Sequence, residues 1–367
     1  MPSVDFAEQL RLGWDLVPYM IGWLAGWFLL WGTRPLPPVT PGSEPHVGVS
    51  IIVPARNEQH ALPHLLGPLM ARSGSADSEA VIEVLVVDDH STDATAQVAA
   101  TYGARVIHPP PLPDGWLGKP HACWVGAQAA THDLLVFCDA DLHPPGDLPE
   151  RMAAAITAYP GQVVSVQPWH TTVRPDEQLS MIFNLVALMG VGRFSLLGRR
   201  VTPKAAFGPV LGMDRETYKR IGGHAHPAVR SQHTEDIAIA RQVGAAQLFT
   251  GAPDISFRMY PGGIRDLIRG WTRSLATGAR SGPWWATMLT VAWVASLVGG
   301  IFVSPWLYLA SAAQLAVLGP RAGRFSIWMA ALYPLAVVVF LIVFVRSAIK
   351  VILRQEVQWK SRQVPAR

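Results

Sequence analysis

The sequence has few of the residues that mark redox, zinc or P-loop proteins. Its two cysteines, Cys123 and Cys138, lie far apart and form no Cys-x-x-Cys pair, so neither a disulfide framework nor a thiolate metal site is indicated. No Gly-x-Gly-x-x-Gly follows a predicted strand, and residues 115–120 lack the spacing and the Ser/Thr of a phosphate loop. These absences argue against dinucleotide redox chemistry and P-loop hydrolysis.

Charge is also scarce: 15% of the 367 residues are charged, against 50% hydrophobic, with 14 tryptophans. No basic run with interleaved aromatics indicates nucleic acid as a partner. The composition is too apolar for an ordinary soluble domain. Apolar runs that approach the length of a membrane span occupy residues 17–31, 284–303, 306–318 and 327–345.

The flanks of these runs predict a multi-pass protein of the cell (inner) membrane. Acidic residues precede the first run, which therefore resembles a retained anchor more than a cleavable signal. Six basic residues from Arg346 onward predict a cytoplasmic tail, with the catalytic domain on the same side. If the domain and the tail lie on the same side, the chain must cross the membrane an even number of times after the domain. Three apolar runs are present there. Residues 306–318 are a candidate re-entrant or interfacial segment, and the number of crossings stays open.

Five segments follow from this pattern. They are an N-terminal membrane anchor (1–34), a proline-rich linker (35–46), a catalytic domain (47–283), a C-terminal transmembrane region (284–348) and a basic tail (349–367).

The catalytic domain has an α/β pattern. Apolar strands are predicted at residues 49–53, 81–87 and 134–138, and intervening helical segments indicate a mainly parallel sheet buried on both faces. Ligands of such sheets bind at the carboxyl ends of the strands. The polar residues at these ends are Asn57, Glu58, Asp88, Asp139 and Asp141. We expect them to converge on one crevice.

Asp139 and Asp141 stand two positions apart after an apolar strand, so both carboxylates can face one divalent cation. Such a metal suits a bound diphosphate. A receiver domain of a response regulator is a poor alternative, because its acidic pair closes the first strand, whereas Asp88 and Asp89 close the second.

Four motifs in order resemble glycosyltransferase family 2. They are residues 49–58, residues 86–93, the Asp-x-Asp segment 139–141 and the sequence Thr234-Glu235-Asp236. The resemblance covers about two thirds of the chain and implies the GT-A nucleotide-sugar fold. Residues 113–122 and the C-terminal spans look most like the carotenoid-acid glucosyltransferases of that family.

The resemblance implies roles for individual residues. Pro54, Asn57, Glu58 and Asp88 would bind the nucleoside, and Lys119 would meet the diphosphate. Asp141 would ligate Mg²⁺ or Mn²⁺, while Asp139 would contact the ribose or the metal. A solvated loop lysine remains the alternative for Lys119.

Asp236 is the expected catalytic base, and Glu235 is expected beside the acceptor or diphosphate. Asp236 precedes a helical pattern, so the helix dipole would favour its carboxylate. A purely structural acid at a helix start is the alternative.

Arg269 and Trp271 stand where processive members of the family carry Gln-x-x-Arg-Trp, but here the glutamine is missing and a glycine intervenes. The departure speaks against polymer synthesis. Both residues are candidates for contacting acceptor or diphosphate, with a lipid-facing arginine and an interfacial tryptophan as equal alternatives. His224, His226 and His233 lack zinc spacing and are predicted to be ordinary loop histidines, with contact to the acceptor as a further option.

The predicted function is inverting, metal-dependent transfer of one hexose, glucose from UDP-glucose, to an apolar membrane acceptor such as a carotenoid acid or alcohol. Transfer to a polyprenyl phosphate or glycerolipid is the alternative. A membrane scaffold without activity is disfavoured, because Asp139, Asp141 and Asp236 occur together.

Overall fold

The computed structural model describes residues 6–39, 47–73, 81–278, 282–352, 357–359 and 362–364. Two compact units are present: a sheet unit formed from residues 34–171 and 202–259, and a helical unit formed from 1–33, 172–201 and 260–367. Part of the predicted linker (40–46) and much of the predicted tail lie outside the described residues. The five predicted segment boundaries therefore stay predictions.

The strands follow one another along the chain as β1 (Val49–Ala55), β2 (Ile82–Asp88), β3 (Arg105–Ile107), β4 (Leu134–Cys138), β5 (Leu142–His143), β6 (Val163–Gln167), β7 (Trp169–His170), β8 (Val210–Asp214), β9 (Ala246–Thr250), β10 (Ser256–Phe257), β11 (Val357–Trp359) and β12 (Arg362–Val364). The first ten belong to the sheet unit.

The helices are α1 (Phe6–Leu30), α2 (Leu62–Ser73), α3 (Thr95–Thr101), α4 (Gly118–Ala129), α5 (Leu148–Ala158), α6 (Met181–Gly190), α7 (Arg215–Arg220), α8 (Pro227–Arg230), α9 (Glu235–Val243), α10 (Ile264–Gly278), α11 (Trp284–Val303), α12 (Pro305–Leu318), α13 (Ile327–Ala331) and α14 (Tyr333–Ile352). Short 3₁₀ turns occupy Pro175–Ser180, Gly198–Arg200, Gly223–Ala225 and Gly319–Arg321.

The main sheet has the strand order β3-β2-β1-β4-β8-β6-β9. The pairs β1 with β2, β1 with β4, β2 with β3 and β6 with β9 are parallel, whereas β8 runs antiparallel to both of its neighbours. A smaller sheet has the order β5-β10-β7. The mainly parallel α/β sheet predicted from the apolar strand runs is confirmed.

Burial of the central strands on both faces explains those continuous apolar runs. The side chains of Ile51, Ile52 and Val136 are fully buried. Helix α4 approaches the sheet closely at Gly126, where an added Cβ would lie 2.5 Å from Ile52 Cγ2. This contact fixes α4 against β1 and β2, so that its first turn carries Lys119 towards the carboxyl ends of the strands.

Two helices of the helical unit, Trp284–Val303 and Tyr333–Lys350, are long and apolar enough to cross a membrane. The middle one of the three C-terminal runs, residues 306–318, forms α12, which has 14 residues and is shorter than a span. In α1 the apolar part covers Leu16–Leu30, which is also shorter than a span. An N-terminal span and the orientation of the chain stay predictions.

Candidate active site

The loops that follow β1 and β2 are joined by side-chain hydrogen bonds. The carboxamide oxygen of Asn57 accepts from the Thr92 backbone N–H at 2.8 Å, and the backbone N–H of Asn57 donates to Ser91 Oγ at 2.9 Å. Glu58 donates its backbone N–H to Thr95 Oγ1 at 2.8 Å. Asn57 has a φ of 55°, a conformation that asparagine tolerates better than most residues. Asn57 therefore shapes the predicted nucleoside pocket by fixing its two loops.

Asp88 ends β2 and is 5% exposed. Its Oδ1 accepts from the Ser91 backbone N–H at 3.1 Å, and its Oδ2 lies 3.6 Å from His108 Nδ1. The neighbouring Asp89 pairs with Arg56 at 3.4 Å. A fixed acceptor at the end of a parallel strand is the geometry expected for recognition of a nucleobase N–H, which is the role predicted for Asp88.

Asp139 and Asp141 follow β4 directly, next to the end of β1. The backbone N–H of Asp139 donates to the carbonyl oxygen of Pro209 at 3.0 Å, which ties this turn to the segment that leads into β8. Burial, together with Asp139 and Glu58, raises the pKa of Asp141 above the ordinary aspartate value. The turn thus concentrates negative charge in a poorly hydrated place, which favours binding of a cation.

Lys119 is the cation nearest to these acids in the described structure. Its Nζ lies 2.7 Å from Asp139 Oδ1 and 2.8 Å from Glu235 Oε1. Burial acts to lower the pKa of Lys119, but the two carboxylates outweigh it and hold the pKa well above the ordinary lysine value. Lys119 is therefore a fixed positive charge in the site, and the predicted alternative of a solvated loop lysine does not describe it.

Asp236 is the second residue of α9, as the helical pattern predicts. Burial and the adjacent Glu235 raise its pKa, and Lys119 opposes the rise. A Cβ added to Gly208 would lie 3.3 Å from Asp236 Oδ2 and 3.5 Å from Lys119 Nζ. The acid, the lysine and the Gly208 backbone thus surround one point, and a carboxylate with a raised pKa is suited to accept a proton near neutral pH.

The donor set around Asp141 fits Mg²⁺ or Mn²⁺. Within the described parts of the chain, no three His, Cys, Asp or Glu residues form a metal cluster of their own. Magnesium is commonly bound by one or two carboxylates together with substrate phosphates, and Asp141 with Asp139 supplies such carboxylates. Burial and the neighbouring carboxylates of Asp139 and Glu58 raise the pKa of Asp141, and Lys119 offsets only part of this rise.

A small cleft joins several of these groups, although Asp141 is not among the residues that line it. Its polar lining consists of Lys119, Asp139, His224, Glu235 and Asp236. Its other lining residues are Pro54, Cys123, Phe137, Cys138, Gly208 and Leu211. The cleft therefore brings together predicted residues from four elements: Pro54 of β1, Asp139 after β4, Lys119 of α4, and Glu235 and Asp236 of α9. It also adds His224, which the sequence analysis assigned to a loop.

Arg269 and Trp271 belong to α10 of the helical unit. The side chain of Arg269 is 70% exposed and lies 3.6 Å from Asp266. Trp271 is buried, and its ring stacks on Phe183 at a centroid distance of 5.1 Å. Contact of either residue with acceptor or diphosphate stays a prediction.

Comparison with known sequences gives a consistent result. The sequence model described as "Glycosyl transferase family 2" matches residues 50–207. Two curated relatives named 4,4'-diaponeurosporenoate glycosyltransferase, from Staphylococcus haemolyticus and Staphylococcus aureus, are each 33% identical to this chain over 339 residues. The alignments cover 86% and 87% of this chain and 88% of each relative.

Among solved structures, the chain is similar to a mannosyltransferase from Pyrobaculum calidifontis in complex with GDP-Man and Mn²⁺. The match has a TM-score of 0.54 and 19% identity, and it covers 93% of this chain and 96% of the other. At this identity the likeness supports the GT-A-like fold.

Proposed function

Because the chain belongs to glycosyltransferase family 2, we propose that it transfers one glucose from UDP-glucose, with inversion, to a carotenoid acid or alcohol in the membrane. The observation that supports this proposal is the contact of Lys119 with Asp139 and Glu235 beside Asp236, since we assign Lys119 to the leaving diphosphate and Asp236 to the base. The naming of the two staphylococcal relatives as 4,4'-diaponeurosporenoate glycosyltransferases supports the choice of acceptor.

These groups have the following roles in the proposed transfer. The acceptor oxygen attacks C1 of the glucosyl group from the side opposite the diphosphate, so a C1–O bond forms while the C1–O bond to phosphate breaks. The electron pair of the broken bond leaves with UDP, beside the positive charge of Lys119. Asp236 takes the proton of a hydroxyl acceptor.

A divalent ion bound by Asp141 and Asp139 would neutralise charge on the diphosphate. Pro54 lies in β1, Asp88 ends β2, and Asn57 and Glu58 lie on the loop after β1; these four residues would bind the nucleoside. Asn57 and Asp88 are already fixed by hydrogen bonds in the described structure.

A carboxylic acid as acceptor changes the role of Asp236. Such an acid has a pKa of about 4 and is ionised at neutral pH, so its attack requires no strong base. Asp236 would then orient the acceptor. Asp236 is therefore required as a general base only when the acceptor is a hydroxyl.

We further propose that the enzyme is a multi-pass protein of the cell membrane with the sheet unit in the cytoplasm. The two apolar helices Trp284–Val303 and Tyr333–Lys350 support membrane association. Two C-terminal crossings satisfy the even number that a cytoplasmic tail requires.

The test uses membranes containing the protein, UDP-glucose and Mg²⁺ or Mn²⁺, offered separately a carotenoid carboxylic acid and a polyprenyl phosphate. The masses of the extracted lipids are measured by mass spectrometry, and a carotenoid that carries one hexose is the expected product. Hexose found on the polyprenyl phosphate alone would keep the family and reject the proposed acceptor. GDP-mannose in place of UDP-glucose tests the choice of donor.

A further inference from the structure

His224 is a lining residue of the cleft to which the reaction described above gives no role. It lies in the 3₁₀ turn Gly223–Ala225 and is 2% exposed. The cleft that it lines also contains Lys119, Asp139 and Asp236. The buried imidazole of His224 therefore lines the same cleft as three residues that have assigned roles in the reaction.

The position of His224 is fixed by Tyr218. The imidazole Nδ1 lies 2.9 Å from the Tyr218 hydroxyl, and the backbone N–H of His224 donates to the same oxygen at 3.2 Å. Gly223 has a φ of 51°, and a Cβ there would lie 2.4 Å from the Tyr218 ring. The glycine thus permits the contact, and the turn delivers His224 in one orientation.

This geometry determines which ring nitrogen carries the proton. The Tyr218 oxygen already accepts one hydrogen bond, from the backbone N–H of His224. In the described structure its own hydrogen has one acceptor within reach, His224 Nδ1. The Tyr218 hydroxyl therefore donates to Nδ1, which leaves the hydrogen of a neutral imidazole on Nε2.

The ring also stays neutral. Burial, and then the charge of Lys119, lowers the pKa of His224 to about 3. Its second nitrogen makes no hydrogen bond with the described residues, although the ring lines the cleft. This N–H is therefore available to a ligand oxygen in the cleft that the ring lines.

Building on the proposed function, we propose that His224 Nε2–H donates a hydrogen bond to a hydroxyl of the donor hexose and so selects which hexose is transferred. The glucosyl group must lie between the diphosphate beside Lys119 and the base Asp236, and His224 lines the cleft that both of these residues line. The diphosphate is already assigned to Lys119, so a hydroxyl of the hexose is the ligand oxygen left for the Nε2–H of His224.

The test measures binding to purified protein by isothermal titration, with UDP, UDP-glucose and the 2-, 3-, 4- and 6-deoxy forms of UDP-glucose as ligands. The variants are His224→Phe and the double variant Tyr218→Phe/His224→Phe, which also removes the tyrosine hydroxyl left without its acceptor. His226→Asn is the matched control, because His226 lies in the same loop and asparagine can still accept from the Ala228 N–H.

In the wild type, one deoxy donor is expected to bind about tenfold more weakly than UDP-glucose, because its missing hydroxyl leaves the N–H unpaired. His224→Phe is expected to bind UDP like the wild type but UDP-glucose about tenfold more weakly, and to lose the discrimination against that one deoxy donor. The His226→Asn control keeps the wild-type pattern.

Equal weakening of UDP and UDP-glucose in both His224 variants would overturn the inference, since the residue would then act on the nucleotide or on folding. A change confined to the KM for the acceptor would overturn it as well. Either result leaves the proposed function standing if the wild type transfers glucose. A wild type that neither binds nor uses UDP-glucose would remove the proposed function, and the role of His224 with it.

Discussion

The ammonium nitrogen of Lys119 lies 2.7 Å from Oδ1 of Asp139, so the first acid of the Asp-x-Asp segment is paired with a lysine from α4. The same nitrogen contacts Glu235 at 2.8 Å. One cation thereby links the segments predicted to bind the donor and the acceptor. The proposed divalent ion would therefore share Asp139 with Lys119 and would also bind Asp141.

Lys119→Met should reduce transfer strongly, because the departing diphosphate loses a buried positive charge and Asp139 and Glu235 lose their partner. Removal of one such electrostatic contact typically lowers kcat by roughly 10²- to 10³-fold. Steady-state kinetics with UDP-glucose checks this, with Lys119→Arg as the control that keeps the charge. Activity of Lys119→Met close to that of the wild type would assign the lysine a purely structural role.

Asp141→Ala should abolish transfer at every Mn²⁺ concentration, because the diphosphate then lacks a metal held beside it. Removal of divalent ions with EDTA should abolish the transferase activity of the wild type. Addition of Mg²⁺ or Mn²⁺ should restore that activity. Binding of Mn²⁺ in the presence of UDP, followed by electron paramagnetic resonance, separates metal loss from misfolding. Full activity of the wild type in EDTA would reject metal dependence.

Asp236→Asn should impair a hydroxyl acceptor far more than a carboxylate acceptor, since loss of a general base typically costs roughly 10²- to 10⁴-fold. Equal loss with both acceptors would contradict a base role specific to the hydroxyl. In the wild type, the rate with a hydroxyl acceptor should fall as the pH drops through the pKa of Asp236. This fall in rate should occur at a higher pH than an ordinary aspartate would give, because burial raises the pKa of Asp236.

The same substitution should stabilise the fold in a pH-dependent way. The folded-state pKa of Asp236 exceeds its unfolded value, so ionisation costs stability as pH rises from about 4 towards the raised pKa. Asp236→Asn should therefore melt above the wild type at pH 8, and the difference should shrink at lower pH. Differential scanning fluorimetry across pH measures it, and a constant offset would contradict the link to ionisation.

Gly208→Ala should lower kcat about tenfold with little loss of stability, because the new Cβ would press on Asp236 and displace it by a few tenths of an ångström. Gly190→Ala is the matched control, since no heavy atom lies within 4 Å of its added Cβ. Comparison of kcat and of melting temperature for both variants checks this. A larger loss of stability than of rate in Gly208→Ala would point to packing instead.

Much of the site was predictable from the sequence because strand ends are local features. The apolar runs before Asp88 and Asp139 and the helical pattern after Asp236 each place an acid at the end of an element. Parallel strands deliver such ends to one edge of a sheet, which is why residues from distant parts of the chain converge. The family and the mainly parallel sheet followed from these patterns and are confirmed.

The sequence by itself determined which residue types end the strands, and so the family, the sheet and the acids of the site. The tertiary structure decided what depends on contacts between distant segments. Lys119 gained two carboxylate partners in this way, Asn57 joined two loops, and His224 became buried against the hydroxyl of Tyr218. The periodicity of apolar residues in a sequence indicates which side of a helix or strand is buried. The charge state and tautomer of a side chain depend on its neighbours, and these come within hydrogen-bonding distance only when the chain folds.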